Sequence, residues 1–560
     1  MGIIGYDKKI IMKFKVYLTI LFFASFFSKA LSQSSFTPEP EKFLKDVQAF
    51  IGNYDKTKAK KYIKSFEPLW LGDFFTPDNK ALVYASLNSM EEKKLNVYPD
   101  FINYFNAIYN YSNSGMSSEK FEKWNSTLDN VIKKYNNKRV QDFLKVSNNL
   151  FLDGTIYVTS RTQKAATRWQ VSKKDNFDIQ FVKKLPVFIF NEVDLRCFSK
   201  NDSSVIRNTS GQFFPLTSLW NGNGGKIDWQ RAKKDKDIYY AKVNSYNIGL
   251  KSSSYYIDSV LFYSSYFDYP IMGKLTEKVL SFRGYSKVIY PAFESYSKRL
   301  NIKNINNNKN IEFDGGFTIR GSKLYGSGSF DNLSKLIISY NNKEVLIAES
   351  IGFIINDEQI ISENARIKFF LDSDSIFHPA SNLVFSDITK SLTLSRGREG
   401  ISAAPFYNSY HKLDMYVETL SWLVGEPSVK LSAPKGTKSI KTARFASLNF
   451  FDPNIYDNFN NERGNILISI KRYVDICGSN IFTIDELAKY LVMTENDLQF
   501  LLFNLTELGF LNYDSQIKLI SCSEKLFNYI KNRSGKKDYD VLIINSNSET
   551  NAILNLNSLD

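Results

Sequence analysis

The side chains best suited to chemistry are few and scattered. Asp372-Ser373-Asp374, His378, His411 and Asp414 could together hold a hard cation, because such ions favour clustered carboxylates. Asp and Ser also favour turns by bonding their own backbone, and a turn is the simpler expectation for 372–374. Lys323, Arg396 and Arg398 could line a basic cleft in which an anionic polysaccharide is cleaved. That chemistry also needs a base at the sugar and a charge stabiliser. Nothing in their spacing makes them converge, and Arg396-Gly397-Arg398-Glu399-Gly400 reads more simply as a polar loop. Asn221-Gly222-Asn223-Gly224-Gly225 has the glycines of a phosphate loop but lacks its Lys-Ser/Thr ending, so it reads as a turn. Only two histidines occur, which weighs against multi-His zinc sites and a Ser-His-Asp triad. Cys197, Cys477 and Cys522 cannot build a disulfide scaffold, although one Cys477–Cys522 bridge stays open in an oxidising compartment. These residues assign no catalytic, cofactor-binding or metal position and imply no cofactor. An enzyme is the less favoured reading.

The elements that must position these groups form a succession of patterns. Residues 36–150 read as helical, with Phe121, Trp124, Leu128, Val131, Ile132 and Tyr135 spaced by three or four as in a packed helical core. From about 150 the period shortens. Gly154–Val158, Leu185–Phe190, Asp237–Val243 and Ser254–Ile257 carry the aromatic and β-branched residues of strands. Thr276, Val279, Leu280 and Phe282, then Phe293, Tyr296 and Leu300, suggest a helical tail, and Asn301–Asn310 an Asn/Lys-rich connector.

Across 314–396 apolar strand centres recur. Phe317, Ile338, Ile360 and Leu383 are separated by 21, 22 and 23 residues. A step of about 22 residues, each with three short strands, predicts a β-solenoid of stacked coils. An antiparallel sandwich is the competing architecture. Thr483-Ile484-Asp485-Glu486 is a capping box, Thr494 caps a second helix, and Gly509 ends it. Two short strands follow, in the order of a winged helix. The second helix carries Glu495, Asp497 and Glu507 and no Lys or Arg. Phosphate binding depends on cations, so this helix speaks against DNA.

The amino terminus supplies the address. Lys8, Lys9, Lys13 and Lys15 precede the apolar stretch Val16–Phe27, and Ala30 and Ser32 stand two apart before Gln33. A basic start, a short apolar core and small residues make a secretory signal peptide, cleaved before Gln33. The core of about 12 residues is short of the ~20 that span a bilayer. Residues 1–32 hold five Lys and one Asp, so cleavage lowers the net charge from +14 to +10. That excess is dispersed and selects no partner.

Three strings, Asp153-Gly154-Thr155-Ile156-Tyr157, Tyr410-His411-Lys412-Leu413-Asp414-Met415-Tyr416 and Gly535-Lys536-Lys537-Asp538-Tyr539-Asp540, accompany the signal peptide, helical region and strand-rich body. In this combination the chain resembles the long, functionally uncharacterised envelope proteins of Bacteroidetes-type bacteria. The resemblance spans most of the chain, implies that it is an amino-terminal portion, and carries over no functional residues. The expected fold is α+β and multidomain: signal peptide 1–32, helical domain 33–150, β-rich domain with helical tail 151–310, β-solenoid-like domain 311–435, winged-helix-like module 440–533 and strand-like tail 534–560. The expected function is a non-catalytic extracytoplasmic envelope or surface protein, in the periplasm, on the outer membrane or secreted. Its partner would be an envelope protein, a glycan or a lipid. The alternatives are a β-solenoid enzyme on anionic surface polysaccharide and a cytoplasmic nucleic-acid-binding winged-helix protein.

Overall fold

The computed structural model describes residues 35–160, 166–280, 288–305, 308–432, 442–461 and 464–560. Ala30, Ser32 and Gln33 therefore lie outside the described residues. The chain divides into two compact units. One comprises residues up to Gly225 together with Asn247–Ser253, the other Lys226–Tyr246 together with Ser254–Asp560.

The first unit opens with α1 (Pro40–Gly52), α2 (Lys56–Trp70), α3 (Pro77–Glu92), α4 (Ile102–Ser112), α5 (Ser118–Lys134) and α6 (Asn137–Asp153). Asp55, Thr76, Ser117 and Asn136 each accept a backbone N–H three residues on, the bond that satisfies an orphan donor at a helix start. Asn136 explains why the 118–150 pattern is two helices: Tyr135 is extended, and a new cap begins after it. Phe43, Trp70, Tyr104, Trp124 and Phe151 form the buried centre. Trp124 there donates from Nε1 to Ser147 Oγ at 3.0 Å. Gly154 ends α6 at φ +78°, where a Cβ would meet the Val171 carbonyl at 2.6 Å. Strands β1 (Thr155–Val158), β2 (Arg168–Val171), β3 (Phe177–Val182), β4 (Leu185–Ser199), β5 (Asp202–Phe214) and β6 (Leu219–Asn223) follow. β4 pairs antiparallel with β2, β3 and β5.

The second unit is chiefly antiparallel strand. Its strands begin with β7 (Lys226–Asp228) and β8 (Tyr240–Lys242); β9 (Ser245–Gly249) straddles the boundary. Next come β10 (Ser254–Tyr263), β11 (Ile271–Lys278), β12 (Ala292–Ser295), β13 (Leu300–Ile305), β14 (Asn308–Arg320), β15 (Lys323–Ser327), β16 (Ser334–Tyr340), β17 (Lys343–Ser350) and β18 (Gly352–Ile355). They are followed by β19 (Gln359–Leu371), β20 (Asp374–Ser386), β21 (Ser391–Ser395), β22 (Phe406–Asn408), β23 (Leu413–Tyr416), β24 (Thr419–Leu423), β25 (Ser428–Ser432) and β26 (Ala443–Ser447). The expected helical tail is corrected. Residues 271–278 alternate inward and outward as a strand, so Thr276 lies inside that strand and Val279 and Leu280 directly follow its end; Phe282 lies outside the described residues. Residues 301–305 and 308–310 of the expected connector belong to the paired strands β13 and β14.

The pairing resolves into two layers. The first runs β12, the second half of β14, β15, β18, the first half of β19, the second half of β20, β21, β24 and β25. The second runs β13, the first half of β14, β16, β17, the second half of β19, the first half of β20, β22, β23 and β26. Every pairing is antiparallel, and hairpins alternate between layers. This differs from the expected coils of three short strands. The step of about 22 residues is one hairpin: Phe317 lies in the first layer, Ile338 in the second and Ile360 in the first. Interior aromatics bridge the layers, with Phe313 at 5.9 Å from Phe353 and Phe369 at 5.5 Å from Trp422. Within the hairpin of β14 and β15 stands Gly326. It lies within β15 because any Cβ there would meet the Phe313 ring at 2.3 Å.

Past β26 the chain forms a helical module with α7 (Pro453–Asp457), β27 (Asn460–Asn461), β28 (Gly464–Asn465), α8 (Ile466–Cys477), β29 (Ile481–Thr483), α9 (Ile484–Leu491), α10 (Glu495–Glu507), β30 (Leu511–Asp514), β31 (Leu519–Cys522) and α11 (Glu524–Arg533). Finally β32 (Ile543–Ser546) and β33 (Thr550–Asn555) rejoin the two layers beside β26 and β25.

His378 is fully buried on β20. Its Nδ1 accepts from the Ala380 N–H at 3.1 Å, and its Nε2 lies 2.9 Å from the Ala404 carbonyl, to which it donates in the neutral form. Burial pulls its pKa from 6.5 to about 3. Below 6.5 the unfolded chain takes up a proton that the folded state refuses until about 3, so this stability is complete above 6.5 and lost as pH falls. Between pH 7 and 4.5 the loss from this residue is about 2–3 kcal/mol. Denaturant unfolding at the two pH values should show a smaller difference in His378→Gln; an unchanged difference contradicts the assignment.

Candidate binding cleft

The helical module has its own core, in which Leu467, Ile470, Leu487, Leu498, Leu502, Leu505 and Leu526 are buried together. Thr483 and Glu486 form the expected capping box. Thr494 caps α10, and Gly509 follows it at φ +80°. β29, β31 and β30 make a three-stranded antiparallel sheet.

A buried cation fixes this module to the strands. Lys525, on α11, donates from Nζ to Asp414 Oδ2 at 2.6 Å, to the Tyr416 hydroxyl at 3.0 Å and to the Leu508 carbonyl at 2.8 Å. All three ammonium donors thereby have acceptors. The Tyr416 hydroxyl donates to the same carbonyl at 2.9 Å. The Lys525 and Asp414 side chains are 5% and 7% exposed. Burial alone would lower the lysine's pKa. The Tyr416 and Asp414 oxygens outweigh that and hold it above its ordinary value. Gly509 is needed for the approach, since a Cβ there would stand 3.3 Å from Asp414 Oδ2 and 3.1 Å from Pro405. A Cβ at Gly400 would stand 3.5 Å from the Phe503 ring of α10.

Beneath the module, the outer face of the first layer changes character. Residues directly opposite one another form a single row across the strands. It reads Lys274, Glu294, Thr318, Tyr325, Ile354, Ile361, Val384, Thr393, Ser421, Lys430 and Ile553. Four neighbouring members, Tyr325, Ile354, Ile361 and Val384, are apolar; Lys274, Glu294 and Thr318 precede them and Thr393, Ser421 and Lys430 follow, before Ile553 ends the row. Ile354 and Val384 are each 38% exposed. Such a contiguous patch marks a site of interaction.

The three-stranded sheet of the module stands opposite this patch, and between them lies a cleft of about 840 Å³. That is within the ~300–1,000 Å³ of ligand sites. Tyr325, Ile354, Ile361, Phe330, Ile351 and Phe377 supply one side, and Ile481, Ile517 and Leu519 the other. Around them stand Glu363, Glu399 and Asp514, with Asn364, Asn512, Gln516 and Ser521. Arg366 also lines the cleft and is engaged by Glu349 at 3.3 Å.

The residues singled out from the sequence are placed elsewhere. Asp372 and Ser373 form the turn of the β19–β20 hairpin, with Asp372 at φ +51°. Asp374 accepts from Ser409 Oγ at 2.8 Å, His411 Nδ1 lies 3.1 Å from Asn408 Nδ2, and Asp414 belongs to Lys525. Among the described residues no group of three His, Cys, Asp or Glu side chains is arranged to hold a metal. Arg398 is exposed, Lys323 begins β15, and Arg396 turns its guanidinium to the Ala403 carbonyl. The structure does not bring these three together. Cys477 and Cys522 are free, and burial together with the Cys477 thiol pushes Cys522 up to about 12. On α10, Glu495 is tied to Lys518 at 2.8 Å and Asp497 to the Thr494 hydroxyl at 2.6 Å.

Sequence reasoning missed the cleft, although a signal for it exists. Phe353-Ile354-Ile355 and Ile360-Ile361 are apolar on both strand faces, where a one-sided sheet alternates. Compared with protein-family models, with curated proteins and with solved structures, the chain finds no match.

Lys525→Met leaves Asp414 buried without its cation and should cost about 3–5 kcal/mol. Lys525→Met with Asp414→Leu removes both charges and should recover most of that loss in thermal or urea unfolding. A single variant as stable as the wild type contradicts the assignment.

Proposed function

We propose that this protein is a non-catalytic extracytoplasmic binding protein of the cell envelope or surface, and that the cleft is where it binds. The hairpin stack, solenoid-like in its one-dimensional advance, serves as an extended scaffold. The helical module, winged-helix-like in its element order, forms a wall of the site and does not read nucleic acid. One observation carries this reading: four apolar side chains, Tyr325 and Ile361 half-buried and Ile354 and Val384 exposed, stand in register on a strand face, opposite a module held by a buried ion pair. Burying such a patch against a partner releases roughly 25 cal/mol per Å² of apolar surface. Support for the location comes from the sequence of residues 1–33.

Two measurements test the proposal. Mass spectrometry of the native protein should find an amino terminus at Gln33; a cytosolic chain starting at Met1 or Met12 overturns the location. The dye bis-ANS should brighten on the folded protein, and a charge at the patch, Ile354→Glu with Ile361→Glu, should remove most of that signal. Dye fluorescence independent of these substitutions contradicts the assigned site.

A further inference from the structure

Resting on the cleft being a binding site, we infer that its occupant is an extended peptide segment of a partner protein, with apolar side chains alternating with Lys or Arg. Three features of the cleft select this chemistry. The first is width. Tyr325, Ile354 and Ile361, on three neighbouring strands at ~4.8 Å spacing, set the apolar row of the cleft at about 10 Å, the length of three extended residues. Side chains of an extended chain alternate in direction, so every second one meets the row of Tyr325, Ile354 and Ile361 and the others face the rim. The second is charge. Glu363, Glu399 and Asp514 line the cleft and form no ion pair with any described residue, while its one cation, Arg366, is held by Glu349. This local acidity stands out on a chain of net charge +14. It attracts cationic side chains and repels fatty carboxylates and anionic lipid headgroups. The third is the supply of amide and hydroxyl groups, from Asn364, Asn512, Gln516 and Ser521. Peptide N–H and C=O groups need such partners when they leave water, and an acyl chain does not.

The test uses the full mature chain and a fluorescein-labelled octapeptide of alternating Leu and Lys, read by fluorescence anisotropy. The peptide should bind, with affinity falling as salt rises, because part of the attraction is between exposed charges. Ile354→Gln, which removes the apolar contact without adding charge, should weaken binding about tenfold. Glu363→Lys with Glu399→Lys should also weaken it while leaving the circular dichroism melt unchanged, since both side chains are exposed. Equal binding of a Leu/Glu octapeptide, or binding untouched by both sets of substitutions, overturns the inference. Binding of NBD-palmitate in place of the peptide, lost on Ile354→Gln, also overturns it and assigns the cleft to lipid. In that case the cleft would still be a binding site. Failure of bis-ANS to report on the patch would instead remove the reading on which the inference rests.

Discussion

A lysine ammonium taken out of water beside a carboxylate is the constraint on which the second unit depends. Lys525 lies on the last helix of the helical module, and Asp414 on a strand of the second layer. Their attraction is strong only because water is excluded, and water is excluded only while the module stays docked. Removing either partner leaves a buried charge unpaired, the costliest of local errors. The Tyr416 hydroxyl and the Leu508 carbonyl complete the cation's shell. Because the carbonyl belongs to the end of α10, the same shell sets the direction in which the chain leaves that helix at Gly509. The interaction thus specifies where the module sits, and the cleft is a consequence of that placement.

Much of this was legible in the sequence, and the reasons are local. The helices of 40–153 declare themselves through spacing of three and four and through their caps. Thr483 with Glu486, Thr494 and Gly509 mark the module's helices for the same reason: each is a short-range bond between neighbours in sequence. The strands of 314–396 were visible as recurring apolar centres. What could not be read was how they pair. A hairpin and a coil of similar length leave the same periodic trace, and only the register tells them apart. Residues 275–278, read from Thr276 onward as the start of a helix, show a related failure. A few apolar residues three apart suggested a helix, while the alternation of Ile271, Gly273, Leu275 and Glu277 toward the interior marks a strand. A glycine and a glutamate on the inward face hid that alternation.

The site was less legible than the fold. Sequence reasoning looks for clustered carboxylates, histidines and cations, and here those groups are dispersed into turns and backbone bonds. His378 is a case in point: placed near acidic residues in the chain, it spends both ring nitrogens on the backbone. The ion pair joins residues 111 positions apart, and no local pattern announces such a partnership. The string around His411 and Asp414, suggestive but without mechanism in the sequence, gains a physical role through Asp414 and Tyr416. The apolar row is likewise a property of register across strands far apart in sequence.

The central claim is that one buried ion pair holds the module against the apolar row. Hydrogen–deuterium exchange of the wild type and of Lys525→Met, at a temperature where both remain folded, tests it most directly. Exchange should accelerate in the variant for the backbone of 508–526 and of 412–416, with β24 and β25 unchanged, as expected for local release of a docked module. Identical exchange in the two proteins at 508–526 would contradict the claim.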